Sequence, residues 1–297
     1  MVKKSAAEEY SAAPPHINEW NRFFRVFFGR GIVTFGLVVL VLMIFIAGLA
    51  NLLAPYDPNQ TDLQSSLAQP SQAHLLGTDN IGRDTLSRLL YGARTALVVG
   101  FVTVFSGAII GITLGLLAGH FGGIINILIM RAMDALMGFP MLLLALLLAA
   151  VLGGGIQNVI IALAFATLPG YARVMHGLTL SVKENDYIMA EKAMGSSNAR
   201  TMLKHILPNA LPPMIVLITV WLGLTILAEA NLSFLGIGIK PPGAAWGSMV
   251  NDGYQYLLMN PILSFAPGLT IMVVAFAFIM VGDGLRDALD PRLRGLL

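Results

Sequence analysis

The sequence predicts an all-α polytopic membrane protein with six transmembrane helices and both termini in the cytoplasm. Three observations carry that prediction. First, 56% of the 297 residues are hydrophobic, only 11% are charged, and the mean hydropathy is +0.76. A soluble domain carries about 25% charged residues, so this chain lacks the charge to cover a water-facing surface. Second, six apolar runs are long enough to cross about 30 Å of hydrocarbon. They lie at 31–53, 96–118, 124–151, 157–180, 213–239 and 263–284. Third, Lys and Arg fall unevenly between these runs, which sets the orientation.

The composition excludes whole classes. A soluble enzyme, a disordered regulator and a coiled coil do not fit such hydropathy. Without cysteine, disulfide scaffolds, thiolate metal sites and cysteine nucleophiles are absent. A net charge of +2 is too small for a nucleic-acid binder. The apolar runs are continuous rather than alternating, which excludes a β-barrel.

Residues 1–30 form a cytoplasmic arm ahead of the first run. Trp20, Phe23, Phe24, Phe27 and Phe28 recur at helical spacing, with Arg22 and Arg25 on the other face. This predicts an amphipathic helix in the cytoplasmic headgroup layer, with a plain extension of the first span as the alternative. The first run follows a long polar arm and exceeds the apolar core of a signal peptide, so it is expected to remain as a span. Residues 31–284 form the membrane domain and 285–297 a cytoplasmic tail.

For orientation, the arm holds Lys3, Lys4, Arg22, Arg25 and Arg30. The region leading from the fourth run to the fifth holds Arg173, Lys183, Lys192, Arg200 and Lys204, and the tail holds Arg286, Arg292 and Arg294. The opposite side holds only Arg83, Arg88 and Lys240. The cation-rich side is the cytoplasm.

Residues 54–93 make an external loop. Within it, Thr85 to Arg94 has helical character with Leu86, Leu89 and Leu90 on one face, which would let it lie along the membrane surface. The second run carries Gly107, Gly111, Gly115 and Gly119 at four-residue spacing, extended by Thr103. Such a ridge stacks on one helix face and lets another backbone approach closely, within the chain or from a partner. Pro140 in the third run and Pro169-Gly170 in the fourth are expected to kink or interrupt their helices.

Ionisable residues inside the runs are functional candidates by default. Arg131 and Asp134 are three apart and are expected to pair along their helix. Asp283 is expected to end the sixth helix at the interface. Glu229, past the middle of the fifth run and without an intrahelical cation, is the candidate for lining a translocation pathway, with packing or a bond to another span as alternatives.

The cytoplasmic loop 181–212 reads as two short helices. Asn185 or Asp186 caps the first, which includes Tyr187, Ala190 and Glu191 and ends at Gly195 in left-handed geometry. Ser196 or Ser197 caps the second, which is expected to stop before Pro208. Such a hairpin fits a docking groove, or is an ordinary structured loop. No phosphate-cradling G-x-x-x-x-G-K-[ST], no H-E-x-x-H pair and no G-x-S-x-G elbow is present. The chain is therefore not expected to cradle nucleotide phosphates by that route or to bind a metal, and the energy for any uphill transport must come from a partner or an ion.

The 181–213 segment resembles the "EAA" loop of permease subunits of ATP-binding-cassette importers. Gly195 matches its glycine and Leu207-Pro208 its ending. Met189, Ala190 and Glu191 stand at the E-A-A positions, so only the middle one agrees, and His205 stands at the isoleucine position. The runs 74–94, 241–253 and 282–295 resemble the second permease of dipeptide, oligopeptide and nickel importers. The resemblance covers almost the whole chain from Trp20. It implies a type I importer permease fold in a multi-pass cell-membrane subunit. It implies a similar second permease, two cytoplasmic ATPase subunits that bind ATP and Mg, and an external substrate-binding protein. It also implies alternating access, with the first short cytoplasmic helix transmitting ATPase closure to the spans. Coupling residues would be Asp186, Tyr187, Ala190, Glu191, Gly195 and Ser196. An ion-coupled secondary transporter is the alternative, although such folds show several midplane carboxylates. Asp134 and Asp283 do not meet the needs of an intramembrane aspartyl protease.

Overall fold

The computed structural model describes residues 19–289. The basic residues Lys3, Lys4, Arg292 and Arg294 used to read the orientation, and most of the arm and tail, lie outside the described residues. Twelve α-helical segments follow one another: α1 (Glu19–Phe28), α2 (Gly31–Gly48), the single turn α3 (Ala50–Leu53), α4 (Thr85–Phe121), α5 (Gly123–Met137), α6 (Met141–Leu152), α7 (Ile156–Lys183), α8 (Asp186–Ala193), α9 (Asn198–Arg200), α10 (Leu207–Phe234), α11 (Trp246–Tyr254) and α12 (Ile262–Leu289). A π-helical turn, Thr201–Ile206, joins α9 to α10 without a break.

Five helices are long and apolar enough to cross a membrane alone: Gly31–Gly48, Thr85–Phe121, Ile156–Lys183, Asn198–Phe234 and Ile262–Leu289. The remaining predicted span, third along the chain, is the pair α5 and α6, bent by 89°. Pro140 sits at that break, where it donates no backbone hydrogen bond and its ring crowds the preceding turn. Pro169 behaves otherwise: it is buried inside an uninterrupted α7. Prolines persist in membrane helices when neighbouring groups re-satisfy the freed carbonyl.

Three boundaries differ from the expected ones. Residues 85–94 do not lie on the surface as a separate helix. Asp84 caps Thr85–Phe121 by accepting from the Ser87 N–H at 2.8 Å, and one helix of 37 residues follows. At 1.5 Å per residue it is about 55 Å long, so its first turns stand clear of the bilayer. The helix after Ser197 likewise does not stop before Pro208. In the π turn, the Leu207 N–H reaches five residues back to the Met202 carbonyl, and the widened turn makes room for the proline ring. At its far end α10 stops at Phe234, short of the expected 239. The chain there folds back, with the Ile239 N–H donating to Ser233 Oγ at 3.2 Å.

The amphipathic arm helix exists as α1, separated from α2 by Gly29 and Arg30. Its aromatic face divides. Phe23 and Phe27 stack at 5.7 Å and Phe27 is buried, while Trp20, Phe24 and Phe28 stay exposed. The arm is held to α12, where Arg30 pairs with Asp287 at 2.7 Å.

The centre of the molecule is the pairing of α4 with α7, the most extensive helix contact. The glycine ridge of α4 lies along α7 in parallel register. Gly107 faces Thr167, Gly111 faces Leu168 and Tyr171, Gly115 faces Ala172 and His176, and Gly119 faces Thr179. The ridge therefore serves packing inside this chain. A Cβ at Gly111 would lie 2.7 Å from the Tyr171 Cβ and 2.8 Å from the Leu168 carbonyl oxygen. Since neither backbone can retreat without losing the pairing, Gly111→Leu should destabilise the fold by more than the ~1–3 kcal/mol of ordinary overpacking. Detergent-solubilised protein should show this as lost monodisperse yield, whereas Gly177→Leu, where a Cβ meets nothing within 4 Å, should express like the parent.

Candidate functional site

Three groups of residues could carry function: a hairpin between α7 and α10, a polar cap at the opposite end, and the ionisable residues along the helices.

The hairpin holds the predicted coupling residues. In α8, Asp186 occupies the first turn and Ile188 is the sole buried side chain, while Tyr187, Met189 and Met194 are exposed around it. The helix ends in a Schellman arrangement. The Ser196 N–H donates to the Glu191 carbonyl at 3.1 Å and the Gly195 N–H to the Lys192 carbonyl at 3.0 Å. Gly195 has φ +84, so the expected left-handed end is present. Ser197, not Ser196, caps the next helix, accepting from the Arg200 N–H. Asn209 Nδ2 donates to the Tyr187 hydroxyl at 3.3 Å, and Glu191 and His205 approach to 2.8 Å. These i, i+4 positions on both strands of the hairpin clasp α8 to the base of α10. Ala190 lies exposed on α8. The hairpin is anchored below by Lys183, which donates to the His120 carbonyl at 2.9 Å, and by His120, 3.0 Å from Asn198 Oδ1.

At the other end, residues 54–84 close over the first turns of α4 and over α11. Asp79 organises this cap. Its carboxylate accepts from the Ile81 and Arg83 N–H groups at 3.1 and 2.9 Å and pairs with Arg83 Nε at 2.6 Å. Arg88 stands 3.9 Å away and donates to the Pro58 carbonyl at 3.0 Å. Arg83 also reaches Asp252 of α11 at 3.7 Å. Burial pushes the Asp252 carboxyl above its usual range, against the opposing pull of Arg83 and Arg88. Trp246 completes the closure: its indole N–H donates to the Leu89 carbonyl at 2.9 Å and its ring lies on Gly92. Sequence reasoning missed this cluster. The available signal was the alternation of Asp79, Arg83, Asp84 and Arg88 just after the turn glycine Gly77, with Gly82 among them.

The ionisable residues of the spans are rearranged relative to expectation. Asp134 does not pair with Arg131. It pairs with Arg173 of α7 at 2.5 Å, with both side chains about half exposed. Arg173, counted from sequence among the cytoplasmic cations, lies ten residues inside the end of α7. An i, i+3 neighbour competes with any cation that tertiary packing brings closer, and here packing wins. Asp283 does not end its helix, since α12 continues to Leu289. Glu229, the sequence's pathway candidate, is 2% exposed and lies five residues from the end of α10 rather than near mid-span. It accepts from Ser233 Oγ at 2.6 Å. Among the described residues, no cluster of His, Asp and Glu is arranged to hold a metal ion.

The fold is a helical bundle with a projecting helix-turn-helix at one end and a broken third span. Residues 111–295 match the family described as binding-protein-dependent transport system inner membrane component, and residues 18–70 match the N-terminal TM domain of oligopeptide transport permease C. The chain belongs to this family of permeases. It is 40% identical to the dipeptide transport system permease protein DppC of Alkalihalophilus pseudofirmus, over 97% of this chain and 93% of that protein. It is also 40% identical to the glutathione transport system permease protein GsiD of Pectobacterium atrosepticum, over 93% of this chain and 92% of that one. In fold it is similar to a chain of the MetNI methionine ABC transporter in an inward-facing conformation, with TM-score 0.56 and 22% identity over 69% of this chain and 97% of that one. The protein is thus a multi-pass inner-membrane permease subunit of an ABC importer, itself non-catalytic, that works with ATPase and binding-protein partners. Membership displaces the alternative of an ion-coupled secondary transporter.

The cap supplies a test that does not depend on the cargo. Asp79→Ala leaves Arg83 and Arg88 buried without their shared carboxylate, a change that costs about 3–5 kcal/mol when a buried pair is broken. Limited proteolysis should then cut within residues 54–84 at protease levels that leave the parent intact.

Proposed function

We propose that this chain is one of two similar permeases of a heteromeric importer that carries di- and oligopeptides, or related solutes such as glutathione, into the cytoplasm. The near full-length identity with dipeptide and glutathione permeases carries this reading. The ends of the chain and the 181–212 hairpin face the cytoplasm, and the 54–84 cap with α11 faces outward toward the binding protein. Two ATPase subunits hold ATP and Mg. In this reading α8 docks into them, and Asp186, Tyr187, Ala190, Glu191, Gly195 and Ser196 are the coupling residues. Its fixed hold on α10 would pass ATPase closure to the spans, and the exposed faces of α5 and α6 turn toward the second permease, with the solute path between the two subunits. Glu229 serves packing beneath the cap.

The reading is tested with the complete complex in vesicles, where loaded binding protein should stimulate ATP hydrolysis. A residue other than glycine pays about 1–2 kcal/mol for left-handed geometry, asparagine less than most. Gly195→Val should therefore abolish most of the stimulation, while Gly195→Asn should keep it. Equal stimulation in parent and Val variant would show that this hairpin does not couple.

Orientation has its own test, since the chain contains no cysteine. A cysteine introduced at the exposed Gln72 should react with an impermeant thiol reagent from outside. One at Met194, 80% exposed, should react only after the membrane is opened.

A further inference from the structure

The Asp134–Arg173 pair stands in an unusual place. Arg173 follows Ala172, whose backbone nitrogen lies 3.2 Å from where a Gly111 Cβ would be, so the pair is level with the middle of the α4 glycine ridge. Counting ten residues back from Lys183 places it about 15 Å inside the helix end. This is hydrocarbon depth, yet the two side chains are 50% and 45% exposed. The helix that carries Asp134 is hardly buried at all: of the fifteen residues of α5, Met133 alone is buried. Charges at this depth do not face lipid, and sealing them against an apolar partner surface costs as much. Water must reach them. One turn before Asp134, on the same face, is Arg131, also exposed and without a carboxylate at ion-pair distance among the described residues. The face thus carries two guanidinium groups and one carboxylate, a net positive surface inside the membrane.

We infer that Arg131, beside the Asp134–Arg173 pair, lines the water-filled path of the solute and receives the carboxylate of a zwitterionic cargo. This rests on the peptide reading above. Guanidinium offers a planar fork of donors that matches a carboxylate in a bidentate geometry. The Asp134 carboxylate holds Arg173 in place, so that Arg131 remains the open cation. Glu229, buried against Ser233, takes no part in this.

The complete complex tests the inference in two ways. Leu128, 64% exposed and one turn before Arg131, is replaced by cysteine and treated with anionic and cationic water-soluble methanethiosulfonates. Leu128→Cys should react with both, the anionic reagent about ten-fold faster, and adding Arg131→Gln should level the two rates. Absence of labelling, or rates unchanged by Arg131→Gln, overturns the inference. In vesicles with saturating loaded binding protein, Arg131→Gln should slow dipeptide uptake about ten-fold, while Arg131→Lys, which keeps the charge but not the fork, restores part of it. Both variants should retain the ATPase on purification. Equal loss in Gln and Lys variants overturns the recognition of charge. If the parent takes up no dipeptide while labelling remains anion-selective, the peptide reading fails and the cargo assignment with it, whereas the charged aqueous face stands.

Discussion

The close approach of α4 and α7 is the constraint on which the rest of the structure depends. Lipid and leucine are equally apolar, so helices in a membrane gain little from hiding apolar surface and associate through close packing. Four glycines one turn apart remove every side chain from the contact line and bring one backbone against another. That fixes the rotation of α7, which in turn decides which way its polar residues point. Thr167, Tyr171 and Thr179 turn toward the ridge, and Arg173 is left on the other side, facing α5. A slip of one residue would turn Arg173 through about 100° and break its pair with Asp134.

From that pairing the two ends acquire their shapes. At one end Gly119 packs on Thr179, and just beyond it Lys183 and His120 tie the last turns of α7 and α4 to each other and to Asn198. The hairpin therefore emerges from a rigid base and not from a free loop. At the other end α4 outgrows the bilayer and offers Arg88, Leu89 and Gly92 as a stem on which residues 54–84 and α11 close. One long helix thus links a cap around Asp79 to a base around His120, which gives both ends a common frame.

Much of this was legible in the sequence wherever the signal was local. The ridge is a four-residue period, the α8 terminus is a glycine after a short helix, and the arm helix is an aromatic period. Failures occurred where a distant group competed with a near one. Arg131 is the obvious partner for Asp134 by spacing, but Arg173 lies 39 residues on and reaches it through the ridge. Pro208 reads as a helix stop because the rule assumes α geometry in the turn before it, and a π turn changes the geometry that the proline meets. Glu229 reads as a mid-span charge because the apolar run continues to Ile239, while the helix ends at Phe234 and folds its exit back onto Ser233.

That last contrast bears on how charge in a membrane segment is to be interpreted. By sequence, Glu229 is the pathway candidate and Asp134 half of a local pair with Arg131. Burial separates them. A carboxyl enclosed by its own chain and bonded to a hydroxyl one turn away has its needs met locally, and asks nothing of water or cargo. A carboxylate that stays half exposed at hydrocarbon depth, even while paired, has needs that the single chain does not meet, and the missing environment must be supplied by what surrounds the subunit. In the assembly proposed above, that surrounding is a second permease and the solute between them. The charge that the fold leaves incompletely satisfied is therefore the better guide to the path than the charge buried most deeply.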